Sequence, residues 1–292
     1  MDAAELLKRV RRVEISTRKL SDRIFSGEYS SAFKGRGMAF AENREYQPGD
    51  EVRTIDWNVT ARTGTPHVKV FEEERELTVF LLIDVSGSVQ GGTRERTQMD
   101  LVTELSAVLA FSAMGNNDKV GAILFTDRIE KFIAPGKGRS HVLRIVRDIL
   151  DCQPQGKGSD AVQALSHFSA AMRKRTVAFL MSDFKHVGND IELETMLKRV
   201  GRRHDMVALH LDDPLNHQLP SLGWVRLQDP ETGKLGWRNT SSRRVKRLWA
   251  QQGQAHREQL AKLMARSGMD FASISTQGSL VKPLLHVFHA RG

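Results

Sequence analysis

Three oxygen-bearing side chains, Asp84, Ser86 and Ser88, stand at alternate positions just where the apolar stretch LTVFLLID runs out. A second apolar run, TVAFLMSD, also closes on a carboxylate, Asp183, and the loop GKGSDAVQAL offers a further hydroxyl, Ser159, at the start of a helix. Taken singly, either aspartate reads as a cap or turn residue, and Ser159 as an ordinary N-cap. Together they imply a different chemistry. Two central strands that both end in aspartate bring negative charges to one rim of a sheet, and a hard divalent cation would neutralise them. Mg2+ takes near-octahedral oxygen ligands at about 2.0–2.1 Å and retains waters, so a few hydroxyls and carboxylates suffice to hold it. Mn2+ and Ca2+ are the alternatives. With mostly neutral ligands such a cation stays short of negative charge and favours a carboxylate brought by a partner.

The elements that must carry these residues follow from periodicity. Residues 2–25 place Leu6, Leu7, Val10, Val13, Ile15, Leu20 and Ile24 among basic residues, as an amphipathic helix does. From Met38 to Glu76 short pieces separated by Pro-Gly-Asp and Thr-Gly-Thr-Pro predict a small β-rich subdomain, with YQPGDEV, RTIDWNVTAR and TGTPHVKVFEEERE around its turns. After Leu77 strands and helices alternate: strands LTVFLLID, KVGAILFT, IEKFIAP, TVAFLMSD, MVALHLDD and MDFASIST. The helices are expected over 97–114, 140–150, 160–172, 191–200, 243–266 and 280–289. GWVRLQDPETGKLGW reads as a β-hairpin. The alternation predicts an α/β fold, a doubly wound, mostly parallel sheet with helices on both faces. Such sheets bind ligands at the carboxyl ends of their strands, where Asp84 and Asp183 fall. The expected division is an N-terminal helix and connector over 1–30, the β-rich subdomain over 31–76, with the hairpin 223–238 as a candidate addition, and the α/β domain over 77–292.

DVSGS, GSDAVQAL and MSD resemble the metal-ion-dependent adhesion site of von Willebrand factor A domains, an Asp-x-Ser-x-Ser element followed by a loop threonine and a later aspartate. The resemblance implies metal binding by Asp84, Ser86, Ser88, Ser159 and Asp183. Ser159 stands where that pattern usually has threonine, and Asp160 beside it adds a charge that either competes for the metal or assists it. Upstream, NREYQPGDEVRTIDWNVTAR is similar to the motif of the bacterial domain-of-unknown-function family fifty-eight, with further matches in DKVGAILF, RRHDMVALHLDDP, LPSLGW and DPETG. That family's association with MoxR-type AAA+ ATPases implies a non-enzymatic adaptor or co-chaperone. Its partner is the ATPase or another protein offering a carboxylate. Within the upstream motif, Trp57 is expected to anchor the small subdomain, and Asp56 to pair with Arg53 or Arg62.

Charge sets the rival readings. Lys and Arg number 44 against 35 Asp and Glu, a formal +9. The excess gathers at 8–12, 173–175, 198–203 and 243–247, either as solvated helix faces or as steering patches for a polyanion. A basic nucleic-acid-binding protein is therefore one alternative, although no zinc-finger spacing, basic zipper or RNA-binding aromatic signature accompanies the clusters. A metal-dependent phosphoryl-transfer enzyme is the other. Ser86, however, occupies the place where a dehalogenase-like phosphatase keeps its second aspartate, and neither a phosphate loop nor a nucleophile elbow is present. A single cysteine, Cys152, excludes an internal disulfide. No stretch reaches the roughly 20 apolar residues of a membrane helix, and the expectation is a cytoplasmic protein.

Overall fold

The computed structural model describes residues 3–25, 38–73, 77–89, 96–185, 191–228 and 235–290. The chain divides into two units, Met1–Ala32 with Thr78–Gly292, and Phe33–Leu77.

The larger unit is built around strand β3 (Thr78–Asp84), which is buried from Val79 onward because it lies in mid-sheet and is covered on both faces. It is flanked by β4 (Lys119–Phe125) and β6 (Val177–Ser182), both parallel to it. Beyond them lie β5 (Ile129–Gly136) on one side, and β7 (Asp205–Asp212) then β10 (Asp270–Ser275) on the other, giving the order β10-β7-β6-β3-β4-β5. Only the β4–β5 pair is antiparallel. The expected α/β class and mostly parallel sheet are what is found. Chain order reverses between β3 and β6, so the crevice at their carboxyl ends is the topological switch point.

Alternation along β3 sorts the core. Phe80 and Leu82 point to the face covered by α5 (Ala161–Ala171), α6 (Ile191–Gly201) and α7 (Arg243–Ser267), where they join Phe168, Leu197 and Met264. The other face receives α3 (Gln98–Gly115), α4 (Arg139–Leu150) and α8 (Val281–His289). Helix α3 is apolar nearly all round and so must be enclosed. Its outer side is covered by α1 (Ala3–Phe25), which also meets α4 and is tied by Arg9 to Asp100 (3.3 Å) and by Glu14 to Arg139 (2.7 Å). The predicted hairpin forms as β8 (Trp224–Gln228) and β9 (Leu235–Asn239), a separate two-stranded ribbon within this larger unit.

The small unit holds one antiparallel pair, β1 (Met38–Glu45) with β2 (His67–Glu73). The sequence RTIDWNVTAR, expected as strand, instead forms a 3-10 turn over Val52–Thr54 and the helix α2 (Trp57–Thr63). The reason lies in Asp56, whose carboxylate accepts from the N–H groups of Asn58 and Val59 and so starts a helix that Gly64 ends in the left-handed conformation. That aspartate pairs with Lys69 (3.6 Å), not with Arg53 or Arg62, and Trp57 is 67% exposed, not an anchor. The Arg44–Asp50 pair, with both guanidinium nitrogens at 2.7 Å, closes the Pro-Gly turn.

Candidate functional site

Strand β3 delivers Asp84 to the switch point completely buried, and the turn after it folds back so that the Ser86 N–H donates to Asp84 Oδ1 (2.9 Å). The Ser86 and Ser88 hydroxyls then lie 3.2 Å apart, both buried. Ser159 reaches the same carboxylate from the loop before α5, donating from Oγ to Asp84 Oδ2 (2.6 Å). Four of the five expected residues thus form one hydrogen-bonded cluster.

That loop is held by two devices. Glu130 Oε1, on β5, accepts from the N–H groups of Gln155 (3.0 Å) and Gly156 (2.8 Å) and from the Thr126 hydroxyl (2.7 Å). Burial alone would raise this carboxyl, but the three hydrogen bonds outweigh it and hold Glu130 below the usual carboxylate range. Gly156 itself sits so close to β4's end that a Cβ would lie 2.1 Å from Thr126 Oγ1. The N-cap of α5 is Asp160, which accepts from the Gln163 N–H (2.9 Å), leaving Ser159 free of that task.

Asp183 enters differently. It is 2% exposed and follows β6, but no hydrogen bond joins it to the other four among the described residues. Its neighbour Ser182, which the sequence reading passed over, makes that link, donating to Asp84 Oδ2 at 2.6 Å. The signal for Ser182 was the Ser-Asp pair closing the run. Its use depends on the register, which pairs Ile83 with Met181 and so sets Asp84 beside Ser182. Asp183 acts on Asp84 through its charge. Burial first, and then the Asp183 charge, push the Asp84 carboxyl up against the lowering hydrogen bonds of Ser159, Ser182 and Ser86. Asp183 Oδ2 is buried without a hydrogen bond among the described residues, although the Lys185 ammonium lies 3.1 Å away, outside bonding geometry. Phe184, between them, adopts a positive φ of 48° that turns the chain sharply at this point. A recess of about 190 Å³ opens beside Asp183, walled by Lys185, His210, Asp212, Trp249 and His256. His210 is pushed down to about 3 by burial and by His256, so the recess wall is neutral imidazole near pH 7.

The Asp84 carboxyl, raised by burial and by the Asp183 charge, the Asp183 Oδ2 that faces the Lys185 ammonium, and the hydroxyls of Ser86 and Ser88 form an oxygen donor set that a hard cation fits. Among the described residues no cluster of three His, Cys, Asp or Glu side chains is placed to hold a metal. Any such ion depends on the serine hydroxyls.

An oxygen-rich cluster at the switch point of a doubly wound sheet defines an α/β protein with a polar ligand site at its strand ends. The chain belongs to the family described as "Protein of unknown function DUF58", which matches residues 42–259. It is 30% identical over 278 residues to an uncharacterized protein of Mycobacterium tuberculosis, covering 94% of this chain and 86% of that one. Among solved structures it is similar to the conserved hypothetical protein BatB from Bacteroides thetaiotaomicron and to an aerotolerance-related membrane protein from Bacteroides fragilis. Each is 12% identical with a TM-score of 0.50, covering 74% of this chain and 98% of the other. The second of these corrects the expectation of a cytoplasmic location, since the same fold occurs in a membrane protein. That no described helix is long and apolar enough to cross a membrane concerns those helices alone and does not fix where the protein works.

Proposed function

We propose that this protein is a non-enzymatic, metal-dependent interaction module that captures an Asp or Glu side chain of a partner protein. The observation that carries the reading is the buried Asp84 carboxylate with three chain hydroxyls or amides bonded to it, beside Asp183, whose Oδ2 faces the Lys185 ammonium without a hydrogen bond among the described residues. A divalent cation at this point, Mg2+ by preference, would supply a Lewis-acidic centre that accepts a carboxylate oxygen. Asp84 anchors the cluster and fixes the positions of Ser86 and Ser159. The Ser86 and Ser88 hydroxyls present lone pairs from a rigid turn. Asp183 contributes charge, and Lys185 balances it until it is needed. Ser86, which carries no exchangeable carboxyl proton, stands where a dehalogenase-like phosphatase keeps its acid/base aspartate, which favours an adaptor over a phosphoryl-transfer enzyme. The resemblance to von Willebrand factor A domains supports the same reading, and the family resemblance favours a MoxR-type AAA+ ATPase as partner.

The test is a binding measurement between the purified chain and the MoxR-type ATPase encoded in the same genome, with Mg2+ and with chelator. Association that needs Mg2+ and is lost in Asp84→Ala supports the reading. Association indifferent to both overturns it.

A further inference from the structure

The hairpin ribbon presents its apolar side to solvent. Cross-strand pairing sets Trp224 opposite Asn239, Arg226 opposite Trp237 and Gln228 opposite Leu235, so both tryptophans, Leu235 and Arg226 share one face. Trp224 is 69% exposed, Trp237 62% and Leu235 50%, whereas Val225 and Leu227 on the opposite face are half-buried. Leu222 before the ribbon and Leu248 after it are exposed too, so five of the twelve exposed large hydrophobic side chains among the described residues fall within this short span.

The charge beside this face is of one sign. Residues 221–228 and 235–250 carry Arg226, Arg238, Arg243, Arg244, Lys246 and Arg247 and no acidic residue. The intervening turn, 229–234, adds Asp229, Glu231 and Lys234 to the sequence and leaves the span strongly positive. Ribbon and helix are fastened together, with Gly223 N–H donating to Ser241 Oγ (2.9 Å) and the Lys246 ammonium bonded to Ser221 Oγ. Four of the basic residues crowd the first turns of α7, where the helix dipole disfavours cations, and the first turn holds no acid to offset them. Arg243, Arg244 and Arg247 form no ion pair with a described residue. In two other basic clusters one member is ion-paired, Arg9 with Asp100 and Lys198 with Glu194.

From this juxtaposition of an exposed tryptophan face with a basic helix start whose arginines pair with no described residue we infer that the surface of residues 221–228 and 235–248 docks onto an anionic lipid bilayer. Indole rings settle at the headgroup level, where an apolar body and a polar N–H are both accommodated. Neighbouring arginines gain from the negative surface potential. A fluid bilayer surface receives such protruding side chains without an enclosing groove. The inference is independent of the metal site.

The test is co-sedimentation of the full chain with vesicles of phosphatidylcholine alone and with about one third phosphatidylglycerol added, a content that gives a strong negative surface potential. Binding to the anionic vesicles only, with a blue shift of tryptophan emission and weakening by salt, is expected. Trp224→Ala/Trp237→Ala should abolish the emission shift. Arg243→Glu/Arg244→Glu/Arg247→Glu should reduce partitioning by at least about a hundredfold, since losing each basic side chain alone costs about fivefold. All five positions are exposed, and unchanged circular dichroism checks the fold. Failure to bind anionic vesicles at low salt overturns the inference. So does binding that both variants retain, a ribbon-dependent dimer in place of vesicle binding, or single-stranded DNA binding lost in these variants while vesicles are ignored.

Discussion

Gly156→Ala tests how the site's loop is held. The new Cβ would lie 2.1 Å from both Thr126 Oγ1 and Asp127 Oδ1, and 2.8 Å from Thr126 Cβ. Asp127 is exposed and its carboxylate can swing aside, but Thr126 is wholly buried and its hydroxyl is held by Glu130. The loop must therefore retreat by more than about 1 Å to reach ordinary contact distance. That retreat stretches the bonds from Gly156 and Gln155 to Glu130. Overpacking of this kind costs about 1–3 kcal/mol, and a weakened bond to a charged acceptor adds a further ~1 kcal/mol, for a loss of about 2–4 kcal/mol. Ser159 lies three residues on, and a shift of the same size breaks its 2.6 Å bond to Asp84. Urea unfolding measures the first effect and Mn2+ titration the second, with divalent affinity expected to fall at least tenfold. If Gly156→Ala unfolds within about 0.5 kcal/mol of the parent and binds Mn2+ equally well, the loop does not hold Ser159 as described.

Lys185→Met removes the ammonium that faces Asp183 Oδ2, and a cation then no longer competes with it. Divalent affinity should tighten about three- to tenfold, in keeping with the modest worth of a partly exposed ion pair, as isothermal titration would read. His204 gives a pH signature. Burial, with the charges of Arg203 and Arg175, pushes it down to about 4 from the ordinary 6.5. The unfolded chain therefore takes up this proton at higher pH than the folded one. The stabilising contribution is complete above pH 6.5 and declines as pH falls toward 4, at up to about 1.4 kcal/mol per pH unit. His204→Leu should remove that share of the slope in urea titrations at stepped pH. It should also leave stability at pH 7 equal or higher by about 1 kcal/mol, since both ring nitrogens are buried without a hydrogen bond among the described residues.

What could be read from the residues alone has a physical boundary. The apolar runs ending at Asp84 and Asp183 identified two strands and the rim they share, because burial on both faces leaves a continuous hydrophobic signature. Ser159 was legible as a hydroxyl at a helix start, but the assignment of the cap to Asp160 depends on which side chain the loop turns inward. Ser182 stayed hidden because only the β3–β6 register puts it beside Asp84. RTIDWNVTAR misled because its Ile and Val fit a strand while Asp56 supplies a helix cap, and the cap prevailed. The hairpin that holds Trp224 and Trp237 was legible in the residues, but which of its faces meets solvent depends on how the ribbon packs.

Binding of Mn2+ to the full chain, followed by electron paramagnetic resonance, tests the central claim most directly. One ion per chain is expected for the parent protein, with loss of that ion in Ser86→Ala/Ser88→Ala, whose small substitutions leave the Asp84 bonds to Ser159 and Ser182 intact. A parent chain that binds no Mn2+ at millimolar concentration, or a double variant that binds as tightly as the parent, would contradict it.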